Sequence, residues 1–144
     1  MKITKIKDVK TPSRGTTKSA GIDFYVPNDF IATTLLPGES IKIPSGIKIS
    51  IPEDYVMIAF NKSGIALSGL TVGACVIDED YQGEIHIHLI NHANHKVEIT
   101  PGKKITQFIL LPVLYDNIEI VEEKDLFDTK TYRADGGFGS TGLL

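Results

Sequence analysis

Three stretches of this chain combine residue types that do chemistry. Thr71–Ile85, TVGACVIDEDYQGEI, sets Asp78, Glu79, Asp80 and Tyr81 directly after an apolar run. A carboxylate rising from a buried strand is costly unless it has a partner or a task. An ionised aspartate can orient water and take its proton; a solvated acidic turn is the plainer reading of the same string. Asn61-Lys62-Ser63-Gly64 opens a short helical segment straight after a strand pattern. Such a start suits a phosphate, because free N–H groups and a cation converge there; it also reads as an ordinary Ser cap. The end of the chain, RADGGFGSTGLL, holds Gly136, Gly137, Gly139 and Gly142, with Ser140 and Thr141 between the last two. Glycines let successive N–H groups turn toward one anion. Arg133 adds a planar fork for phosphate, and Phe138 is an isolated aromatic that could stack. The Walker spacing is absent, and by composition alone this tail also reads as a disordered terminus.

The histidines and the cysteine carry weaker signals. His86 and His88 fall on one strand face, and His92 and His95 lie in the loop beyond. With no cysteine and no matched carboxylate beside them, they make a poor zinc pattern. Cys75 sits in an apolar run and reads as a small core residue.

The elements that must position these groups are short strands. EIHIHLI places Ile85, Ile87 and Leu89 at period two, so Thr71–Ile85 reads as strand, tight turn, strand. In Ser40–Ile51, isoleucines occupy positions 41, 43, 47, 49 and 51, with Pro44-Ser45-Gly46 predicting a bend or bulge. Ile22, Phe24 and Val26 alternate with Asp23 and Tyr25. Further strands are expected at Met1–Lys7, Phe30–Leu36, Asp54–Phe60, Val97–Ile99, Lys103–Tyr115 and Ile118–Val121, with the one helical segment at Asn61–Leu70. Short strands punctuated by Pro, Gly and Asn, with almost no helical period, predict an all-β sandwich or barrel. A single domain is expected over residues 1–144, its core ending near residue 121 and a mobile, glycine-rich arm following from 122.

Composition narrows the class. A net charge of −3 without a basic block gives no footprint for nucleic acid or an anionic membrane. No apolar run has spanning length and no leader is evident. One cysteine permits no internal disulfide, so a cytoplasmic location is expected.

Taken together and in order, SAGIDFY (Ser19–Tyr25), NKSGIA (Asn61–Ala66), GACVIDEDYQGEI (Gly73–Ile85), GKKITQFIL (Gly102–Leu110) and RADGGFGSTG (Arg133–Gly142) resemble the five motifs of the trimeric dUTP pyrophosphatase (dUTPase) family. The resemblance implies a jelly-roll-like β fold and a homotrimer whose active sites are shared between subunits. It implies hydrolysis of dUTP to dUMP and pyrophosphate with Mg²⁺ as cofactor, keeping uracil out of DNA and supplying dUMP for thymidylate synthesis. By the same likeness Asp78 activates the attacking water, and Tyr81 packs on the deoxyribose. The backbone of Cys75, Val76, Ile77 and Asp78, with His86, reads the uracil edge. Lys62, Ser63, Gly64 and Gln107 hold phosphates, and Asp23 meets the metal through water. Arg133, Phe138, Gly139 and Ser140 belong to an arm that closes over the nucleotide, with Phe138 stacking on uracil. Departures from the motifs are Lys62 and Lys104 in place of a usual Arg, Cys75 in place of a usual Gly, and Asp135 within the arm. A dCTP deaminase shares the implied fold, and a nucleotide-responsive interaction protein is a rival from another class.

Overall fold

Most of the period-two patterns become antiparallel strands. The computed structural model describes residues 1–137. In chain order its elements are β1 (Lys2–Lys5), β2 (Ile22–Tyr25), β3 (Thr33–Leu35), β4 (Ser40–Pro44), β5 (Ile47–Ser50), β6 (Tyr55–Phe60), α1 (Ser63–Leu67), β7 (Leu70–Val72), β8 (Val76–Ile77), β9 (His86–Asn91), β10 (Val97–Ile99) and β11 (Lys104–Pro112). All of these lie in a unit spanning Met1–Leu114; a second unit begins at Tyr115. Strand order is β2-β11-β6-β8 in the largest sheet and β4-β9-β7 in the next, with β1-β5 and β10-β3 as two-stranded ribbons. Every pairing is antiparallel.

The isoleucine-rich segment shows why so many short strands arise. Ile43, Ile47, Ile49 and Ile51 are buried, as their spacing predicts. The segment breaks at Pro44-Ser45-Gly46, where Gly46 has φ +72°, a conformation that disfavours side chains. A Cβ there would also lie 2.8 Å from the Cβ of Lys7. The break hands the chain from one sheet to another: β4 pairs with β9, whereas β5 pairs with β1. The expected bend is thus a sheet-switching corner.

In the core, Phe24 of β2 and Phe108 of the neighbouring β11 pack with ring centroids 4.5 Å apart and planes tilted by 52°, a favourable aromatic geometry. Val26, Met57, Leu70, Ile85, Ile87, Leu89, Ile99 and Ile105 are fully buried with them. Asn91 is buried with them, yet it is satisfied. Its amide donates to the carbonyls of Leu35 and His95, both at 3.0 Å, and its Oδ1 accepts from the Ala93 N–H at 2.9 Å.

Two expectations are corrected. Thr71–Ile77 is not one hairpin arm: β7 pairs with β9, while β8 leaves to pair with β6. Val76 is accordingly 57% exposed rather than interior. Asp23 and Tyr25, on the face of β2 opposite Ile22, Phe24 and Val26, are buried as well, with polar partners of their own on that face. Ile118–Val121 forms no strand; Ile118 and Ile120 stand 96% and 95% exposed in the second unit. Alternation makes a segment competent for a sheet, but a strand forms only beside another.

Candidate active site

Two groups of predicted residues are assembled by the β framework. The first forms around Asp23 on β2. One carboxylate oxygen lies 2.5 Å from the Lys62 Nζ and the other 2.8 Å from the Lys104 Nζ. Lys104 reaches it because β11 carries a bulge. Phe108, Gln107 and Thr106 pair with Ile22, Asp23 and Phe24, the register then shifts, and Lys104 pairs with Tyr25. The extra residue, Ile105, turns wholly inward, and Lys104 emerges on the face shared by Asp23 and Gln107. Burial alone would push the Asp23 carboxyl up, but hydrogen bonds and charge from Lys104 and Lys62 outweigh it and hold the group below its ordinary 3.8. The Asp23 hydrogen bond, working against desolvation, raises the Lys104 ammonium above its ordinary value.

Gln107 completes this group. Its side-chain amide donates to the Asn61 carbonyl at 2.9 Å. Gly21 makes room for it, since a Cβ there would fall 2.1 Å from the Gln107 Oε1. Lys62 immediately precedes α1, so Ser63 and Gly64 open the helix beside the same ion pair. One carboxylate between two ammoniums leaves a net positive seat.

The second group is the turn after β8. Val76, Ile77, Asp78, Tyr81 and His86 line a hollow of about 200 Å³. Of the three acids only Asp78 faces this hollow; Glu79 and Asp80 line a different one with Ile51 and Glu53. The Tyr81 N–H bonds back to the Asp78 carbonyl at 3.2 Å and closes the turn. The Tyr81 hydroxyl donates to the Glu84 carbonyl at 2.9 Å. Its ring lies over Gly83, where a Cβ would come within 2.3 Å of the Tyr81 Oη. His86 Nδ1 meets the same carbonyl at 2.9 Å. A carbonyl only accepts, so this nitrogen carries the hydrogen, and in the neutral ring Nε2 is the acceptor. The Glu84 carboxylate in turn accepts from the Gly46 N–H at 2.7 Å. Cys75 is half-buried against the core, and its carbonyl accepts from the Ala59 N–H at 2.8 Å.

Arg133 lies in the second unit, its Nε donating to the Gly136 carbonyl at 2.8 Å. Phe138, Gly139 and Ser140 lie outside the described residues. No three His, Cys, Asp or Glu side chains stand together as a metal-ligand set among the described residues. No described helix is long and apolar enough to cross a membrane. Sequence reasoning missed Lys104 as a partner of Asp23, because a bulge leaves no mark in the spacing of apolar residues. It also missed Glu84, whose carbonyl fixes two side chains at once, because a backbone acceptor is carried by every residue type.

A family model described as dUTPase matches residues 7–142. The chain is 39% identical over 140 residues to the deoxyuridine 5'-triphosphate nucleotidohydrolase of Hydrogenobaculum, spanning 95% of this chain and 93% of that protein. It is 43% identical over 136 residues to the same-named protein of Finegoldia magna, spanning 91% and 90%. The dUTPase of Staphylococcus bacteriophage 80alpha, solved with dUpNHpp, superposes with a TM-score of 0.86 over 99% of this chain and 98% of that one; at 23% identity this likeness shows the fold. With jelly-roll-like β architecture, five motifs in order and a family model spanning nearly its whole length, the chain belongs to the dUTPase family.

Proposed function

We propose that this protein hydrolyses dUTP to dUMP and pyrophosphate, keeping uracil out of DNA and supplying dUMP. The observation that carries the residue assignment is the separation of the acids at the turn. Asp78 alone shares a hollow with Tyr81 and His86. In this reading the Asp78 carboxylate holds a water and takes its proton as the water attacks the α-phosphorus. The Tyr81 ring, pinned from both its hydroxyl and Gly83, is a fixed wall for the sugar and leaves no room for a ribose 2′-hydroxyl. The backbone of Cys75 to Asp78 and the His86 Nε2 acceptor face the base. Lys62, Ser63, Gly64 and Gln107 receive the phosphates, where the net positive charge around Asp23 favours an anion.

Mg²⁺ fits this site only as an ion carried by the substrate. Both Asp23 oxygens already accept from lysines. Magnesium commonly keeps several waters and binds through substrate phosphates, so Asp23 would meet it through that water. When bound, the ion supplies neutralisation of phosphate charge.

We place one core domain before residue 122 and an arm after it, with Arg133, Phe138, Gly139 and Ser140 closing on the nucleotide. A homotrimer with shared sites is supported by Ile118 and Ile120, alternating apolar side chains that a neighbouring copy would cover. A cytoplasmic location accords with the lone cysteine. Pyrophosphate release should be fastest with dUTP when compared with UTP, dTTP and dCTP. A preference for any of the others would overturn the assignment.

A further inference from the structure

We propose that His88 is a positioning residue for base recognition, holding the backbone that leads into the substrate hollow through a bond only its unprotonated imidazole can make. The inference rests on the reading of Cys75 to Asp78 as the base-facing segment. His88 lies on β9. The adjoining strand β7 ends at Val72, opposite Leu89, and one further ladder bond follows, from the Gly73 N–H to the His88 carbonyl at 2.9 Å. There the chain leaves the ladder. The Ala74 N–H turns to the His88 side chain and donates to Nδ1 at 3.1 Å. The ring lies directly over Gly73, where a Cβ would meet Nδ1 at 2.1 Å and Cε1 at 2.5 Å. Only glycine admits the ring here, and only the ring accepts the Ala74 donor. From this point Cys75 bonds toward β6 through its carbonyl, and β8 follows with Val76 and Ile77. The imidazole therefore sits at the branch where the chain is diverted from one sheet to the next.

The bond has a built-in condition. Nδ1 accepts a hydrogen bond only while it carries no hydrogen, so the neutral ring must bear its proton on Nε2. A doubly protonated ring has two donors and no acceptor. It would push the Ala74 N–H away and free the segment between Gly73 and Val76. The groups facing His88 are few. Lys42 of β4 lies directly opposite in register. His86 precedes it by two residues on the same face of β9. Thr71 and Gly73 adjoin from the β7 side and do not titrate, and Cys75 is the titratable residue of the diverted segment. No carboxylate is among them.

The experiment uses the full chain and two readouts. The first is the Ala74 amide signal in a ¹⁵N-labelled sample, followed across the window in which imidazoles titrate, about pH 5 to 8. It should shift with the His88 ring and show reduced protection from exchange at the acid end. The second is steady-state dUTP hydrolysis. His88→Leu, which has no acceptor, should raise KM by about three- to tenfold, the worth of one neutral hydrogen bond, with kcat within about twofold. His88→Asn keeps an oxygen near the Nδ1 position; it should restore most of the affinity and abolish the acid rise in KM that the proposal expects of the unsubstituted protein. An Ala74 amide that ignores the His88 titration overturns the proposal, as does a His88→Leu variant with unaltered KM. If His88→Leu does not fold, the amide titration and the His88→Asn pH profile decide. Absence of dUTP turnover in the unsubstituted protein would instead refute the functional reading, and the amide measurement would still judge the bond itself.

Discussion

At the scale of single residues, the turn Asp78-Glu79-Asp80-Tyr81 separates like side chains by direction alone. Asp78 and Asp80 are the same residue type two positions apart, yet they line different hollows. Asp78→Asn preserves shape and removes the proton acceptor, so kcat for dUTP should fall by about 10²–10⁴. Asp80→Asn should change it by less than about threefold. Both proteins should melt at the unsubstituted temperature, which separates a chemical loss from a folding one. Equal effects at the two positions would remove Asp78 from its assigned task. This distinction was not legible in the string IDEDY, which offers three acids of equal standing. Its resemblance to a motif chose Asp78, and the hollow shared with Tyr81 and His86 gives a physical reason to keep that choice.

At the scale of elements, the bulge in β11 decides which cation reaches Asp23. Asp23 is held below its ordinary acidity value in the folded chain, so its ion pairs contribute stability above that value. The contribution is lost as pH falls through the lower, folded value. Lys104 has the opposite sign: raised when folded, its contribution is complete below the ordinary lysine value and lost as pH rises through the folded one. Lys104→Met should therefore shift the acid limb of the melting temperature toward higher pH, measured from about pH 7 to about pH 2. An unmoved acid limb would show that Lys62 alone governs Asp23. The sequence made the individual strands readable, since isoleucines at alternate positions between 41 and 51 describe a one-sided surface whatever lies opposite. It did not make their partners readable. Gly46 turns one apparent strand into members of two sheets, and Gly73 ends another, because pairing depends on contacts distant along the chain. The segment Ile118–Val121 has the right alternation and no neighbour to pair with among the described residues.

At the scale of the whole molecule, the described residues of the unit that begins at Tyr115 carry apolar side chains and Arg133 with little regular structure, a three-residue 3-10 turn at Glu123–Asp125 apart. Such a segment gains order from a partner or a ligand rather than from its own core. Deleting Arg133–Leu144 should abolish dUTP turnover while leaving the melting transition and a solution mass of three chains intact. Pyrophosphate release, calorimetry and light scattering would test the three points together. Full activity after the deletion would assign the arm no part in the reaction, and a monomeric mass with normal turnover would dissolve the shared-site reading.

Glu84 gives the architecture a mechanical consequence. Its side chain is fastened to the corner at Gly46, and its carbonyl is gripped by Tyr81 and His86. That corner is packed in turn by Lys7 and Val9, so the first residues of the chain and the wall of the hollow at Asp78 share one fastening. If the proposed function holds, loosening the amino-terminal segment would be felt as blurred discrimination between sugars before it was felt as unfolding.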